Sequence, residues 1–387
     1  MKRLTLITAI ALSFSIVSCE KKADTSTEII RVDVNANYPQ KEIILQDFMD
    51  VEYIPLETSK EFITYGFVEA IGKNMILVRN RARDGNLFIF DRTGKGVRKI
   101  NRMGRGDEEY SGIFGVILDE ASREIFVEDY PARKILVYDL KGNFKRKFEF
   151  ADTCYYRFLE NYDNDNLIGY KSYSPAGETK ASCHVLISKK DGSITREIKL
   201  PVGELQTHIW IKDDIIVEPE YCNIIPSQSA WVLSRTSSDT IYSYQANGSK
   251  FPFIIASPSI QTMNPQIFLY PSVVTDRYCF MKTVKKQFDL QKRKGFPTNS
   301  LAYDNQEKTV FQYKVINGNY TTKKSVNMKW GYANNEIATC SSLSALSLIE
   351  ANKEGQLKGR LKEIASRLNE ESNSVLMLVK HKQNSQN

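Results

Sequence analysis

Short runs of aliphatic and aromatic residues alternate with polar positions along most of the chain, and Asp, Asn and Gly separate the runs. This pattern is typical of β-strands joined by tight turns. One unit, an apolar strand followed by a turn and a second strand, recurs with turn glycines at positions 94, 142, 192, 248 and 318. Glycine is expected there because hairpin turns need a positive φ. Four-stranded units of this spacing predict the blades of a β-propeller.

The two ends of the chain supply strands for one further blade. Residues 42–57 (EIILQDFMDVEYIPLE) contain strand material near the start, and residues 375–380 (VLMLVK) form a short apolar strand near the end. Pairing these termini closes the ring and removes exposed sheet edges. The sequence therefore predicts an all-β fold, a six-bladed β-propeller over residues 28–387.

A helical pattern interrupts the strands close to the C-terminus. The apolar positions Leu357, Leu361, Ile364, Ala365 and Leu368 recur at helical spacing with charged residues between them. Most apolar stripes of this kind are packed against a core. We therefore expect one long helix, inserted in the last blade and packed on the ring rather than reserved for a partner.

The N-terminus has the layout of a secretory signal. Lys2 and Arg3 precede an apolar run over residues 4–17, which is too short to span a bilayer, and the run ends at Ile-Val-Ser-Cys. That ending resembles the bacterial lipobox, in which the cysteine is lipidated after cleavage. We predict a lipoprotein signal peptide at 1–18, and a lipidated Cys19 with a polar tether at 19–27. The implied location is the cell envelope, on the outer membrane, with the periplasmic or surface side left open.

Composition excludes several classes of protein. The hydrophobic and charged fractions, 42% and 26%, are those of a globular chain, and no apolar run after the N-terminus approaches the length of a membrane span. The formal net charge of +7 is mild for 387 residues, which argues against a nucleic-acid partner. We expect a monomer that meets the membrane through its lipid anchor.

Motifs for catalysis and metal binding are absent from the sequence. Five cysteines remain beside Cys19, namely Cys154, Cys183, Cys222, Cys279 and Cys340, and their spacing contains no C-x-x-C and assigns no disulfide. The three histidines, His184, His208 and His381, are predicted to be structural, with His381 in a polar tail. A nucleophile elbow, a P-loop and H-E-x-x-H are also absent. We predict no cofactor, no metal and no catalytic residue.

Several segments resemble the six-bladed β-propeller lipoproteins of Bacteroidetes, which are related to NHL-repeat propellers. The matching segments are VEYIPLE at 51–57, FIFDRTGKG at 88–96, GRGDEEY at 104–110, SSDTIYSY at 237–244 and the ending SNSVLMLVKHK. In that family the glycine-rich loop usually reads closer to G-x-G-P-x-E-Y, and Asp107 replaces the proline here. The resemblance implies the fold and lipid anchorage. It implies little chemistry, because most members have no assigned activity.

Two functional hypotheses follow. The first is a non-catalytic binding module that presents one ring face to an envelope protein or a glycan. Its candidate contacts are the loop residues Arg105, Asp107, Glu109 and Tyr110 and the three tryptophans Trp210, Trp231 and Trp330. The alternative is a lactonase- or lyase-like propeller enzyme with a carboxylate or metal site in the central funnel. Different blades would contribute the residues of such a site, and their spacing in the sequence cannot reveal it.

Overall fold

A computed structural model describes residues 28–150, 154–173, 178–212, 215–292, 294–329 and 331–382. The predicted signal peptide, Cys19 and tether lie outside the described residues, and so does Trp330. Six sheets are arranged around a central channel, which confirms the predicted six-bladed β-propeller.

Three N-terminal strands precede the first blade. They are β1 (Ile30–Asp33), β2 (Gln40–Ile44) and β3 (Met49–Pro55), with a helical turn α1 (Leu45–Phe48) between the last two.

The first three blades are antiparallel meanders of four strands. The first contains β4 (Phe67–Ile71), β5 (Met75–Arg79), β6 (Asn86–Asp91) and β7 (Gly96–Asn101). The second contains β8 (Gly115–Asp119), β9 (Glu124–Asp129), β10 (Lys134–Asp139) and β11 (Phe144–Glu149). The third contains β12 (Tyr155–Asn161), β13 (Asn166–Ser172), β14 (Cys183–Ser188) and β15 (Ile194–Ile198).

The remaining blades carry additions. A hairpin, β16 (Trp210–Lys212) and β17 (Ile215–Val217), precedes the fourth blade. That blade contains β18 (Ile224–Pro226), β19 (Ala230–Leu233), β20 (Thr240–Gln245) and β21 (Lys250–Ser257). The fifth contains β22 (Ile267–Val274), β23 (Tyr278–Lys285), β26 (Thr298–Asp304) and β27 (Thr309–Ile316), with the short strands β24 (Phe288–Asp289), β25 (Lys294–Gly295) and β28 (Ser325–Val326). The sixth contains β29 (Ile337–Leu343), β30 (Val375–His381) and β3.

The N-terminal strands join the outer edges of three successive blades. Strand β1 pairs in parallel with β21, β2 pairs in parallel with β27, and β3 pairs antiparallel with β30. The segment 42–57, expected to serve one blade, is therefore divided between the fifth and sixth. The turn α1 carries the chain from one to the other. The last blade is completed by a strand from each end of the chain, and β29 also contacts β4 of the first blade.

Four of the five predicted turn glycines have the conformation that the repeat requires. Gly94, Gly142, Gly192 and Gly248 all have positive φ. Gly318 does not belong to this set, because the turn of the fifth blade between β26 and β27 is made earlier in the chain. There the left-handed residue is Lys308, with φ 55°.

Two short helices replace the long helix predicted near the C-terminus. Helix α2 (Ala345–Lys353) and helix α3 (Gly359–Ala365) lie between β29 and β30, so the helical insertion in the last blade is confirmed. Gly355 has φ +68° and ends the first helix. Leu357 and Leu361 are buried in the core between the fifth and sixth blades, which supports the predicted packing on the ring.

The core consists of apolar layers between neighbouring blades rather than one central mass. No disulfide joins any two cysteines among the described residues. None of the helices in this described part has the length and apolar character needed to cross a membrane. The prediction for His381 is wrong, because it ends β30 and is buried rather than lying in a polar tail.

Candidate functional site

A large cavity lies at one mouth of the central channel. The inner strands β4, β8, β12 and β18 end around it, at Ile71, Asp119, Asn161 and Pro226, and we call this side of the ring the exit face. The cavity has a volume of about 670 Å³ and is lined by residues from these ends, the turns that follow them and the segment 332–336 before β29. We call it the mouth cavity. Its volume is within the range of small-molecule sites.

Aromatic and amide side chains form part of the wall. Trp231 and Tyr162 both line the mouth cavity, and their rings lie 5.9 Å apart between centroids. Tyr332 is held against the first blade, because its hydroxyl donates a hydrogen bond to the Ile71 carbonyl oxygen at 2.9 Å. Asn334 donates to the same carbonyl at 3.0 Å. The wall therefore offers flat apolar faces beside hydrogen-bonding groups.

Glu69 projects from the middle of β4 and connects two blades. Arg79 Nε donates to one carboxylate oxygen at 2.6 Å, and the backbone N–H of Val116 on β8 donates to the other at 3.1 Å. Burial raises the pKa of Glu69 even though Arg79 is adjacent. This glutamate is thus held in place by groups of the protein itself.

Glu160 lies in the channel without such partners. A β-bulge between Arg157 and Glu160 interrupts the pairing of β12 with β13, and Phe158 within it has a φ of 55°. Glu160 lines the mouth cavity and a small recess behind it. Burial and the charge of Glu69 raise its pKa to about 8. Its carboxyl group is therefore predominantly neutral near pH 7.

Glu128 comes from the second strand of its blade rather than the inner one. It is paired with Gly115 on β8, and a Cβ added to that glycine would lie 2.8 Å from Glu128 Oε2. The missing side chain of Gly115 therefore makes room for the carboxyl group. Glu128 is 8% exposed, and burial together with the charge of Glu69 raises its pKa to about 8.

The rim of the mouth cavity is built from paired charges. Lys189 Nζ donates to Asp119 at 2.7 Å, and both side chains are buried. Burial acts to raise the pKa of Asp119, but hydrogen bonds from Lys189 and Ser122 bring it below its usual range. Glu120 accepts hydrogen bonds from the backbone N–H groups of residues 73 and 74 in the first blade. These contacts fix the rim to neighbouring blades.

A second polar cluster surrounds His208. The Tyr270 hydroxyl lies 2.7 Å from His208 Nδ1, and His208 Nε2 lies 3.3 Å from Glu218, which also pairs with Arg157 at 3.3 Å. Burial raises the pKa of Tyr270 well above its ordinary value, so its hydroxyl stays protonated beside the imidazole. His208 is thereby held in one orientation.

The loop predicted to contact a ligand lies away from the mouth cavity. Asp107 forms an ion pair with Lys147 at 3.0 Å, and Glu109 accepts a hydrogen bond from the Gly106 N–H at 2.8 Å. Tyr110 is buried, and its hydroxyl donates to the Gly85 carbonyl at 2.7 Å. Arg105 is exposed on this loop. None of these residues lines the mouth cavity.

The predicted tryptophans are not brought together either. Trp231 lines the mouth cavity, whereas Trp210 lies on the β16–β17 hairpin, 5.0 Å between ring centroids from Phe288. Among the histidines, His184 is fully buried, and burial lowers its pKa to about 4. A neutral buried imidazole with a hydrogen bond to the Asn223 carbonyl oxygen has the character of a structural residue.

The channel glutamates were missed by the sequence analysis. Glu69, Glu128 and Glu160 each lie beside aliphatic residues within a strand, in FVEAI, EIFVED and YYRFLEN. A carboxylate inside a buried strand was the available signal, but their convergence depends on the order of blades around the ring. Among the described residues, no three His, Cys, Asp or Glu side chains are grouped so that they could hold a metal ion.

Comparisons with known proteins agree with this fold. A protein from Bacteroides fragilis NCTC 9343, named as exported, is 17% identical over 92% of this chain and 99% of its own, with a TM-score of 0.58. A member of the duf4221 family from Bacteroides vulgatus ATCC 8482 is 11% identical over 87% of this chain and 98% of its own, with a TM-score of 0.44. At 17% identity, the similarity to the Bacteroides fragilis protein shows a shared fold only. The TM-score of 0.44 for the second protein is too low to support a conclusion. No curated protein matches the chain.

A family model described as 6-bladed beta-propeller, DUF5128, matches residues 20–339. This range covers most of the chain and the described parts of the first five blades. It also confirms the resemblance seen in the sequence motifs. The chain therefore belongs to the 6-bladed beta-propeller family DUF5128.

Proposed function

We propose that this protein is a lipid-anchored propeller of the cell envelope that binds a glycan in the mouth cavity without converting it chemically. The observation that carries the proposal is the cavity itself, about 670 Å³ at the exit face, with Trp231 and Tyr162 in its wall. Aromatic faces stack on the apolar faces of sugar rings, and amides and hydroxyls hydrogen-bond to sugar hydroxyls. The wall offers both, since Asn161, Gln228 and Asn335 also line it.

The position of the N-terminus supports attachment close to the ligand site. Glu28 pairs with Lys308 at 2.7 Å and lines a depression that shares residues 227–229 with the mouth cavity. Cys19 and Glu28 are nine positions apart in the sequence, and a chain of that length spans at most about 30 Å. A lipid on Cys19 would therefore keep the exit face near the membrane. The likeness to an exported Bacteroides protein supports the envelope location.

Binding to an array of bacterial and host glycans tests the proposal. Once a bound glycan is known, Trp231→Ala should weaken it by about ten-fold or more, because a stacked aromatic surface is lost. Trp210→Ala is the matched control, since Trp210 lies on the hairpin outside the mouth cavity. Unchanged binding in the Trp231 variant would remove the cavity from the proposal.

An envelope protein is the other partner considered, and the loop 104–110 is its candidate contact. Arg105 and Glu109 are exposed or half-buried there, and Asp107 is 94% exposed in its side chain. Cross-linking in intact cells, followed by recovery of a C-terminally tagged protein, would identify such a partner. Replacing Arg105 and Glu109 with Ala should then reduce recovery; unchanged recovery would exclude the loop.

A second candidate function is an enzyme that uses the same cavity. The observation that favours it is the pKa of Glu160, about 8, since a carboxyl group that is neutral near pH 7 has the property of a general acid. Incubating the protein with its bound glycan and separating the products tests this function. Cleavage that disappears in Glu160→Gln would support an enzyme, and an unchanged glycan would support a binding protein.

A further inference from the structure

The mouth cavity is acidic although the protein as a whole is basic. The full chain has a formal net charge of +7. The cavity lining nevertheless contains six acidic side chains and one lysine, Lys73. The acidic side chains are Glu69, Asp119, Glu120, Glu160, Asp163 and Glu336. A concave surface of one sign of charge concentrates ligands of the opposite sign.

Some of these carboxylates are already neutralised by cations of the protein. Arg79 pairs with Glu69 at 2.6 Å, Lys189 with Asp119 at 2.7 Å and Lys380 with Glu336 at 3.0 Å. Glu120 and Asp163 are hydrogen-bonded to backbone N–H groups of the rim. Glu160 differs from all of them, because no hydrogen bond or ion pair of its carboxyl group is found within the described part of the chain. It is the carboxyl group that a ligand can reach and pair with.

Glu128 has the same character deeper in the fold. It is more than nine-tenths buried, and its carboxyl group is without a hydrogen-bonding partner among the described residues. Both Glu128 and Glu160 are close enough to Glu69 for its charge to affect their ionisation. Three adjacent blades thus contribute one glutamate each to this acidic cluster, and Arg79 pairs with only one of them.

Building on the proposed function, we propose that the glycan bound in the mouth cavity is an amino sugar, whose protonated amine enters the channel beside Glu160. The sugar ring would stack on Trp231 and Tyr162 while the ammonium group donates hydrogen bonds to the Glu160 carboxylate. Hydrogen bonds between two charged groups are about twice as strong as those between neutral groups. The aromatic faces add an attraction of their own for a cation.

Binding of the cation should release a proton. Glu160 is neutral in the free protein, and an ammonium group placed beside it favours the ionised form. The groups that face Glu160 are Glu69 with its partner Arg79 on the first blade, Cys222 before β18 and Tyr332 beside β29. Arg79 is a cation already and remains so, and burial raises the pKa of both Cys222 and Tyr332 to about 12, which leaves Glu160 as the group that loses the proton.

Isothermal titration calorimetry with two matched tetrasaccharides tests the inference. The probes are the glucosamine tetramer and its N-acetylated form, in a mildly acidic buffer that keeps the free amines protonated. We expect the amine form to bind at least about ten-fold more tightly, and Glu160→Gln to abolish the difference. Repeating the titration in buffers of different ionisation enthalpy should show release of about one proton per ligand, which the variant lacks. Glu350→Gln, on the exposed side of α2, is the control and should change neither result.

Each other outcome overturns the inference in a recognisable way. Equal or tighter binding of the N-acetylated tetramer would leave the glycan site intact and remove the cation requirement. Failure of both tetramers to bind would overturn the amino-sugar assignment together with its parent proposal. Binding of a lysine tetrapeptide, with neither sugar bound, would show that the cavity takes a peptide cation. An unaltered preference in Glu160→Gln would place the ammonium group elsewhere.

Discussion

Replacing Glu160 with glutamine should make the folded protein more stable in mildly alkaline solution. The pKa of Glu160 is raised from 4.5 to about 8 by burial and by the charge of Glu69. One pKa unit corresponds to about 1.4 kcal/mol. Ionising Glu160 inside the folded protein is therefore unfavourable by up to about 5 kcal/mol relative to the unfolded chain. Glutamine has nearly the same shape and cannot ionise, so the variant avoids this unfavourable free energy of ionisation.

The sign of the pH dependence follows from proton counting. Between pH 4.5 and about 8 the folded protein keeps a proton on Glu160 that the unfolded chain has lost. Stability from this group therefore falls as pH rises through that range. At about pH 4.5 and below, wild type and Glu160→Gln should differ little, and the advantage of the variant should grow up to about pH 8 and then level off. Glu128→Gln should behave in the same direction, because its pKa is also about 8.

Urea unfolding at a series of pH values measures the effect. The quantity compared is the difference in the free energy of unfolding between variant and wild type, followed by tryptophan fluorescence and circular dichroism. Glu350→Gln on the exposed side of α2 removes a charge of the same type without burial and should show a flat difference. Parallel curves for wild type and Glu160→Gln would mean that water in the channel solvates the ionised carboxylate, and would refute the reasoning.

Three further substitutions test other parts of the structure through the free energy of unfolding. Lys189→Met should lose about 3–5 kcal/mol because Asp119 stays buried without its cation; adding Asp119→Asn should restore much of the loss, and no restoration would contradict the pairing. Gly94→Ala should lower the free energy of unfolding by more than about 1 kcal/mol, because φ is +89° and the new Cβ would lie 2.1 Å from a backbone oxygen. Gly355→Ala should lower it less, because φ is +68° there and no atom lies within 4 Å of the new Cβ. Tyr110→Phe should lose about 1 kcal/mol or somewhat more with its buried hydrogen bond, while glycan binding stays unchanged. Weakened binding instead would give the loop 104–110 a direct role.

The blades were predictable because their signals are local. Alternating apolar residues, turn glycines such as Gly94 and Gly142, and two apolar termini are visible within a few residues of each other. The fifth turn was misplaced because Lys308 adopts the left-handed conformation there, and a lysine gives no sign of it in the sequence. The long helix was predicted from its apolar stripe, whereas Gly355 and Gly359 divide the region into two helices.

The candidate site was harder to predict because it depends on contacts between blades. Glu69 and Glu160 are 91 positions apart in the chain and approach each other only after three blades are placed in order. The same holds for Lys189 and Asp119. Trp231 was selected from its residue type and does line the mouth cavity, whereas Trp210 was selected on the same ground and does not. Residue type alone therefore cannot distinguish a cavity wall from a hairpin surface.

Comparison of the buried carboxylates indicates why the channel, rather than the rest of the fold, is the place for a ligand. Glu124 accepts hydrogen bonds from Arg146 and Lys145, which hold its pKa at about 2, and Glu178 pairs with the buried Arg235 at 2.6 Å. In both cases the fold supplies the cation that burial of a carboxylate requires. Glu160 is the same type of residue and is partly buried in the wall of the mouth cavity, yet the charge that acts on it comes from another glutamate. A carboxyl group that destabilises the fold when ionised, and that faces a cavity open to solvent, is explained most simply by a cation that arrives with the ligand.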